Sequence, residues 1–180
     1  MLTAENTLLM IIDVQGKLAR IVQNSETVIK NINALIRASD LLDIPIITVE
    51  QNPEKLGPTV PEISESIIDF TPVPKMSFSA FKVDEIRKTL KKSEKNNILL
   101  VGVETHVCVY QTAMDLLQNG YHVVYLVSDA VSSRTSENKK LGIEMMKEAG
   151  AKITGTETVL FEMLETCENE YFRSVLALIK

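Results

Sequence analysis

The chain reads as an α/β protein of three layers, α/β/α: a Rossmann-like, mostly parallel sheet of five or six strands with helices on both faces. Two observations predict this class. Short apolar runs recur along the 180 residues, and amphipathic stretches with helical spacing separate most of them. The runs are apolar almost throughout, as strands covered on both faces require.

Taken in order, Thr7–Ile12 is the first predicted strand. Val28, Ile32, Leu35 and Leu42 then recur at helical intervals, which predicts a helix over Glu26–Leu42 leading to a second strand at Ile44–Val49. From Glu50 to Pro74 the chain carries Pro53, Pro58, Pro61, Pro72 and Pro74 and has no long periodic segment. That stretch reads as an irregular excursion with a short helix near Ile63–Ile68 and a short strand near Thr71–Val73. Val83, Ile86 and Leu90 keep helical spacing ahead of a strand at Ile98–Val103, and Val107, Tyr110, Met114 and Leu117 set a helix directly after it. Asn119-Gly120 stops that helix before a strand at Tyr121–Val127, which His122 opens in a structural role; Ala149-Gly150 stops a helix over Glu137–Ala149 before a weaker strand at Ala151–Thr154. Phe172, Val175, Leu176 and Ile179 mark a final helix over Glu168–Ile179 that packs on the sheet or supplies a subunit contact. No repeat, low-complexity tract or linker divides the chain, so residues 1–180 are read as one domain.

With 45% hydrophobic but only 5% aromatic residues, the core is built from aliphatic side chains. A net charge of -5 argues against nucleic acid as a partner, and the basic run from Lys88 to Lys95 is broken by Thr89, Leu90, Ser93 and Glu94, as on a solvated helix end. Leu8–Ile12 is too short to span a membrane and has no cleavage-site region behind it. Cys108 and Cys167 make neither a CxxC pair nor a disulfide framework, so a soluble, cytoplasmic protein is expected. Neither GxGxxG nor GxxxxGK[ST] occurs, which removes support for a nucleotide-binding module.

In open parallel sheets the residues just beyond the carboxyl ends of the strands meet in one crevice. Asp13 follows the first strand, Lys75 follows the short run to Pro74, and Cys108 lies beyond Ile98–Val103. Each alone has an ordinary reading: Cys108 a small buried hydrophobe, Asp13 a cap, Lys75 a surface charge. Together they bring a thiol, a carboxylate and an ammonium to one edge. Cys108 is expected in the first turn of a helix, where the positive helix end and a nearby ammonium favour the thiolate.

Three segments carry a resemblance: Ile12-Asp13-Val14-Gln15, Pro74-Lys75-Met76-Ser77-Phe78-Ser79, and Gly102-Val103-Glu104-Thr105-His106-Val107-Cys108-Val109. In their order and spacing the chain resembles the isochorismatase-like cysteine hydrolases. Glu50-Gln51-Asn52 with Leu56-Gly57-Pro58-Thr59-Val60, and Asp129-Ala130-Val131-Ser132-Ser133-Arg134, look most like the isochorismatase-domain proteins whose substrates are generally unassigned. The resemblance implies a catalytic triad of Asp13, Lys75 and Cys108, a cis peptide at Val103-Glu104, and an oxyanion hole from the backbone N–H groups of Glu104 and Cys108. It also implies an oligomer. Gln15, Leu18, Glu50, Gln51, Phe78, Phe81, His106 and Tyr110 neighbour the triad in sequence or in the matching loop and are read as substrate-binding walls.

The expected activity is hydrolysis of a small amide or related C–N bond through a cysteine thioester, with Asp13 moving the protons. Isochorismatase-type vinyl-ether cleavage is the alternative within the family, although it needs the acid more than the thiol. A catalytically idle binding or scaffold domain is the alternative from another class. No cofactor is expected, and no metal: nicotinamidases of the same superfamily hold one with an aspartate and histidines, whereas no histidine lies between Glu50 and Lys75 here. A small-molecule substrate and further copies of the chain are the expected partners, with no membrane. Asp129 is assigned to capping or loop ordering, and Cys167, among Glu162, Glu165, Glu168 and Glu170, to no chemistry.

Overall fold

The computed structural model describes residues 2–121 and 123–179, so His122 lies outside the described residues. Six strands form one parallel sheet: β1 (Thr7–Ile12), β2 (Ile46–Gln51), β3 (Val73–Lys75), β4 (Asn97–Val103), β5 (Val123–Ser132) and β6 (Lys152–Thr154), in the order β3-β2-β1-β4-β5-β6. The order reverses between β1 and β4. A crevice opens at such a reversal, outside the carboxyl ends of the strands.

Successive side chains of β1 go to opposite faces, and each face has its own apolar cluster. Leu9 and Ile11, with Leu99, Val101, Tyr125 and Val127, pack under α2 (Ser25–Leu41) through Val28, Ile32, Leu35 and Ile36. On the other face Leu8, Met10 and Ile12, with Ile98, Leu100, Val124 and Leu126, meet α5 (Asp84–Ser93), α6 (Tyr110–Gln118) and α7 (Ser136–Glu148) through Ile86, Leu90, Ala113, Leu116 and Met146. Cys108 belongs to this second cluster. The short helices α1 (Leu18–Ile21), α3 (Pro53–Leu56) and α4 (Pro61–Ser64) lie in the loops that follow β1 and β2.

Several element bounds differ from expectation, and the short helix expected near Ile63–Ile68 lies at Pro61–Ser64. The short strand begins at Val73 rather than Thr71, which makes Lys75 its last residue instead of the one after it, paired in register with Gln51 at the end of β2. Helix α8 (Thr156–Leu164) has no counterpart in the sequence reading, although Val159, Leu160, Met163 and Leu164 are its buried face. Its N-terminus is capped from a distance: Thr156 N and Oγ1 both donate to Asp129 Oδ1 at 2.9 Å, the ordering role expected of Asp129. The last helix, α9 (Phe172–Leu178), is shorter than predicted and buries Val175 in the cluster beneath α2.

Candidate active site

Gly102 is where the site begins, because β4 there lies against β1 at its register partner Ile12. A Cβ on Gly102 would stand 2.0 Å from Ile12 O, and its φ of +113° belongs to glycine. This close approach sets the residues after β4 beside Asp13, the residue after β1. Asp13 itself adopts the left-handed region, φ 52°, which aspartate tolerates better than most residues, with its N–H on Val49 O.

After β4 the Val103–Glu104 peptide is cis, and Thr105–Val109 forms a single π-helical turn before α6. Cys108 therefore sits in this turn and not in the first turn of the α-helix. Thr112 Oγ1 donates to Cys108 O at 2.7 Å and accepts from Ala80 N at 2.9 Å, tying the turn to the segment after β3. On its outer side the turn meets α7 at Gly142, where a Cβ would stand 2.9 Å from His106 Cα.

Lys75 Nζ donates to Asp13 Oδ2 at 2.8 Å and to Gln51 Oε1 at 2.6 Å. The Lys75 and Asp13 side chains are 0% and 1% exposed. Cys108 is 7% exposed, and its Sγ lies 4.0 Å from the same Gln51 Oε1. Asp13 Oδ1 is buried without a hydrogen-bond partner among the described residues. Burial pushes the Asp13 carboxyl above its ordinary range, and the Lys75 ammonium pulls against that shift.

The thiol departs from expectation. Burial, followed by the negative charge of Asp13, pushes it up to about 12, and the opposing effect of Lys75 is smaller. Lys75 offsets this only in part, because its ammonium is bonded to Asp13 Oδ2 and Gln51 Oε1. At neutral pH Cys108 is therefore a thiol beside a carboxylate rather than a stored thiolate.

The wall residues divide. Gln51 is in the cluster. His106 lies half-buried on the π-turn with Nδ1 3.0 Å from Ser133 Oγ, and Tyr110 and Leu18 open α6 and α1, both half-buried. Phe78 and its neighbour Met76 stand exposed just past Lys75. Gln15 and Glu50 are buried, and their side chains are bonded within the protein. Gln15 Nε2 donates to Gln51 O and Gly57 O, while its Oε1 accepts from Gln51 N. Glu50 Oε1 accepts from Thr59 N and Oγ1, both at 2.7 Å. Phe81 packs its ring edge-on to Tyr121 with centroids 6.0 Å apart, against the cluster that includes Cys108.

Two contributors were missed in sequence. Thr112 holds the Cys108 carbonyl from one turn along, and the signal was a buried threonine four residues after the cysteine. Arg134 donates from N and Nε to the Glu104 carboxylate at 2.9 to 3.2 Å, joining the segment after β5 to the residue that starts the π-turn. Glu104 thus uses its side chain for structure.

Comparison with known proteins agrees with this architecture. The model of the isochorismatase domain matches residues 7–158. A secreted isochorismatase effector, Isc1, from Phytophthora sojae is 38% identical over 99% of this chain and 87% of its own length. Isochorismatase domain-containing protein 2A of Mus musculus is 32% identical over 98% and 84%. The MAR1 ribonuclease structure from Caenorhabditis elegans superposes with a TM-score of 0.92 at 36% identity, covering 99% of this chain and 91% of that one. With the domain model spanning most of its length and the relatives nearly all of it, the chain belongs to the isochorismatase family of hydrolases.

Proposed function

We propose that the protein hydrolyses a small amide or related C–N bond through a thioester on Cys108. The observation that carries this reading is the buried cluster itself: Cys108 beside Asp13, Asp13 paired with Lys75, and Asp13 Oδ1 left without a partner among the described residues. A buried acceptor without a partner is costly unless something uses it.

In this scheme the thiol proton passes to Asp13 as the sulfur attacks the carbonyl carbon, and the C=O electron pair collects on oxygen. The backbone N–H groups of Glu104 and Cys108 receive that oxyanion. Collapse breaks the C–N bond, and the leaving amine takes the proton from Asp13. A water then gives its proton to Asp13 and attacks the thioester. The C–S bond breaks, and the thiolate recovers the proton. Lys75 stays charged throughout and steadies Asp13 in its ionised form. A raised thiol suits this order, because deprotonation then accompanies attack.

Vinyl-ether cleavage needs Asp13 but not sulfur, so the placement of Cys108 in the cluster favours the amide. The C. elegans relative is called a ribonuclease; a polyanion would meet a chain of net charge -5 here, and we keep to a small substrate. Ile68, Met76 and Phe78 are exposed, which supports a homo-oligomer, and two free cysteines support a reducing compartment. No helix among the described residues is long and apolar enough to cross a membrane.

The test is a panel of small amides, carbamates and ureides read by intact mass. An acyl adduct on Cys108, absent in Cys108→Ala and formed far more slowly in Asp13→Asn, is the expected result. Full turnover by Cys108→Ala would refute covalent catalysis.

A further inference from the structure

One polar group at the cluster has no part in the scheme above. Gln51 Oε1 accepts from Lys75 Nζ at 2.6 Å and lies 4.0 Å from Cys108 Sγ, while its Nε2 donates to Met76 O at 3.0 Å. The orientation of this amide is determined by its partners: an ammonium only donates and a backbone carbonyl only accepts, so the oxygen has to face the cluster. The backbone of Gln51 is held as firmly. Gln15, fully buried, takes the Gln51 N–H at 2.7 Å on its own oxygen and gives its NH2 to Gln51 O at 3.1 Å and Gly57 O at 2.7 Å. Gln51 and Lys75 are also register partners at the ends of β2 and β3.

We propose that Gln51 is a positioning residue of this site: its amide oxygen holds the Lys75 ammonium on Asp13 and faces the Cys108 thiol, and Gln15 fixes the backbone that carries it. The inference rests on the hydrolase reading for its purpose, because a second, neutral acceptor keeps Lys75 in place at the moment Asp13 is protonated and its charge is gone. With Asp13 as the sole partner, the ammonium would lose its anchor in mid-reaction. A carboxylate in place of the amide would hold Lys75 at all times but would set a second negative charge near the sulfur.

The test uses Gln51→Glu and Gln51→Met in a Cys167→Ser background, so that Cys108 is the one thiol. Two probes are applied: iodoacetamide alkylation followed across pH by intact mass, and p-nitrophenyl acetate as acyl donor. Gln51→Glu should slow alkylation about tenfold at neutral and mildly alkaline pH, by raising the thiol further. Gln51→Met should lower kcat for the ester at least about tenfold with KM within about threefold, because a misplaced group costs rate rather than binding. Alkylation in either variant as fast as that of free cysteine would overturn the inference, since the residue would then only keep the thiol buried. Unchanged rates with both probes would overturn it as well. A parent protein that is never acylated by the ester, yet shows the alkylation shift in Gln51→Glu, would refute the hydrolase reading and leave the placement of Gln51 supported.

Discussion

Lys75 Nζ stands 2.8 Å from Asp13 Oδ2 with both side chains closed off from solvent, so a preformed ion pair lies beside the Cys108 thiol. Removing one partner leaves the other charge buried and unpaired. Lys75→Met should destabilise the fold by about 3 to 5 kcal/mol, measured by urea denaturation at neutral pH. Asp13→Asn combined with Lys75→Met leaves no uncompensated charge and should recover part of that loss. Equal stability of Lys75→Met and its parent would show that the pair is not buried in solution.

The state of the thiol gives a second prediction that runs opposite to the sequence expectation. Cys167 is exposed and Cys108 is buried with its thiol pushed up to about 12, so iodoacetamide at neutral pH should label Cys167 first and Cys108 slowly. Asp13→Asn removes the negative charge next to the sulfur and leaves Lys75 to face it. Alkylation of Cys108 should therefore speed up in the variant that loses turnover. Peptide mapping of the labelled protein separates the two sites.

Proton linkage connects the same thiol to stability. Its pKa is higher in the folded chain, about 12, than the ordinary 9.0, so between those values the folded state holds more protons than the unfolded state. Stability then falls as pH rises from about 9 towards about 12, and is unaffected by this group below that window. Urea midpoints collected over alkaline pH should decline more steeply for the parent than for Cys108→Ala. Parallel slopes would mean that burial leaves the thiol unperturbed.

Strand ends were the legible part of this chain. Asp13 and Cys108 follow long apolar runs, and Lys75 follows the short run predicted at Thr71–Val73, whose strand begins and ends two residues later. Inward-turning polar side chains were not legible. Gln15 and Glu50 neighbour the site in sequence, yet each folds back onto backbone of the 51–59 segment, which contacts them only in three dimensions. Helix α8 carries local start signals in Gly155 and Glu157, but the side chain that holds its N-terminus is Asp129, 27 positions upstream, and that contact exists only in the fold. The raised thiol of Cys108 follows first from its burial and then from the charge of Asp13, and spacing carries neither.

Arg134 offers a contrast between stability and rate. Its guanidinium is 59% exposed, so the bond to Glu104 contributes under about 1 kcal/mol to folding. Glu104 is nevertheless the residue whose N–H we assign to the oxyanion, and Arg134 Nε holds its carboxylate from the far side. Arg134→Met should leave the urea midpoint nearly unchanged while lowering kcat about tenfold on whichever substrate the amide panel identifies. A loss of stability matching the loss of rate would assign Arg134 to the fold alone.

Gly102 tests whether the close approach of β4 to β1 builds the site. A methyl group there would meet Ile12 O at 2.0 Å and Ile12 N at 2.7 Å, both backbone atoms in the middle of the sheet that have nowhere to move. The residue also needs a φ of +113°. Gly102→Ala should cost roughly 4 kcal/mol or more, as overpacking and strain act on one position. Gly120 shares the positive φ, at +91°, but a Cβ there meets nothing within 4 Å, so Gly120→Ala isolates the conformational part at about 1 kcal/mol. The difference between the two midpoints measures the steric contact alone. If the two substitutions cost the same, the strands do not approach as closely as described, and Asp13 and Cys108 would be farther apart than their proposed proton transfer requires.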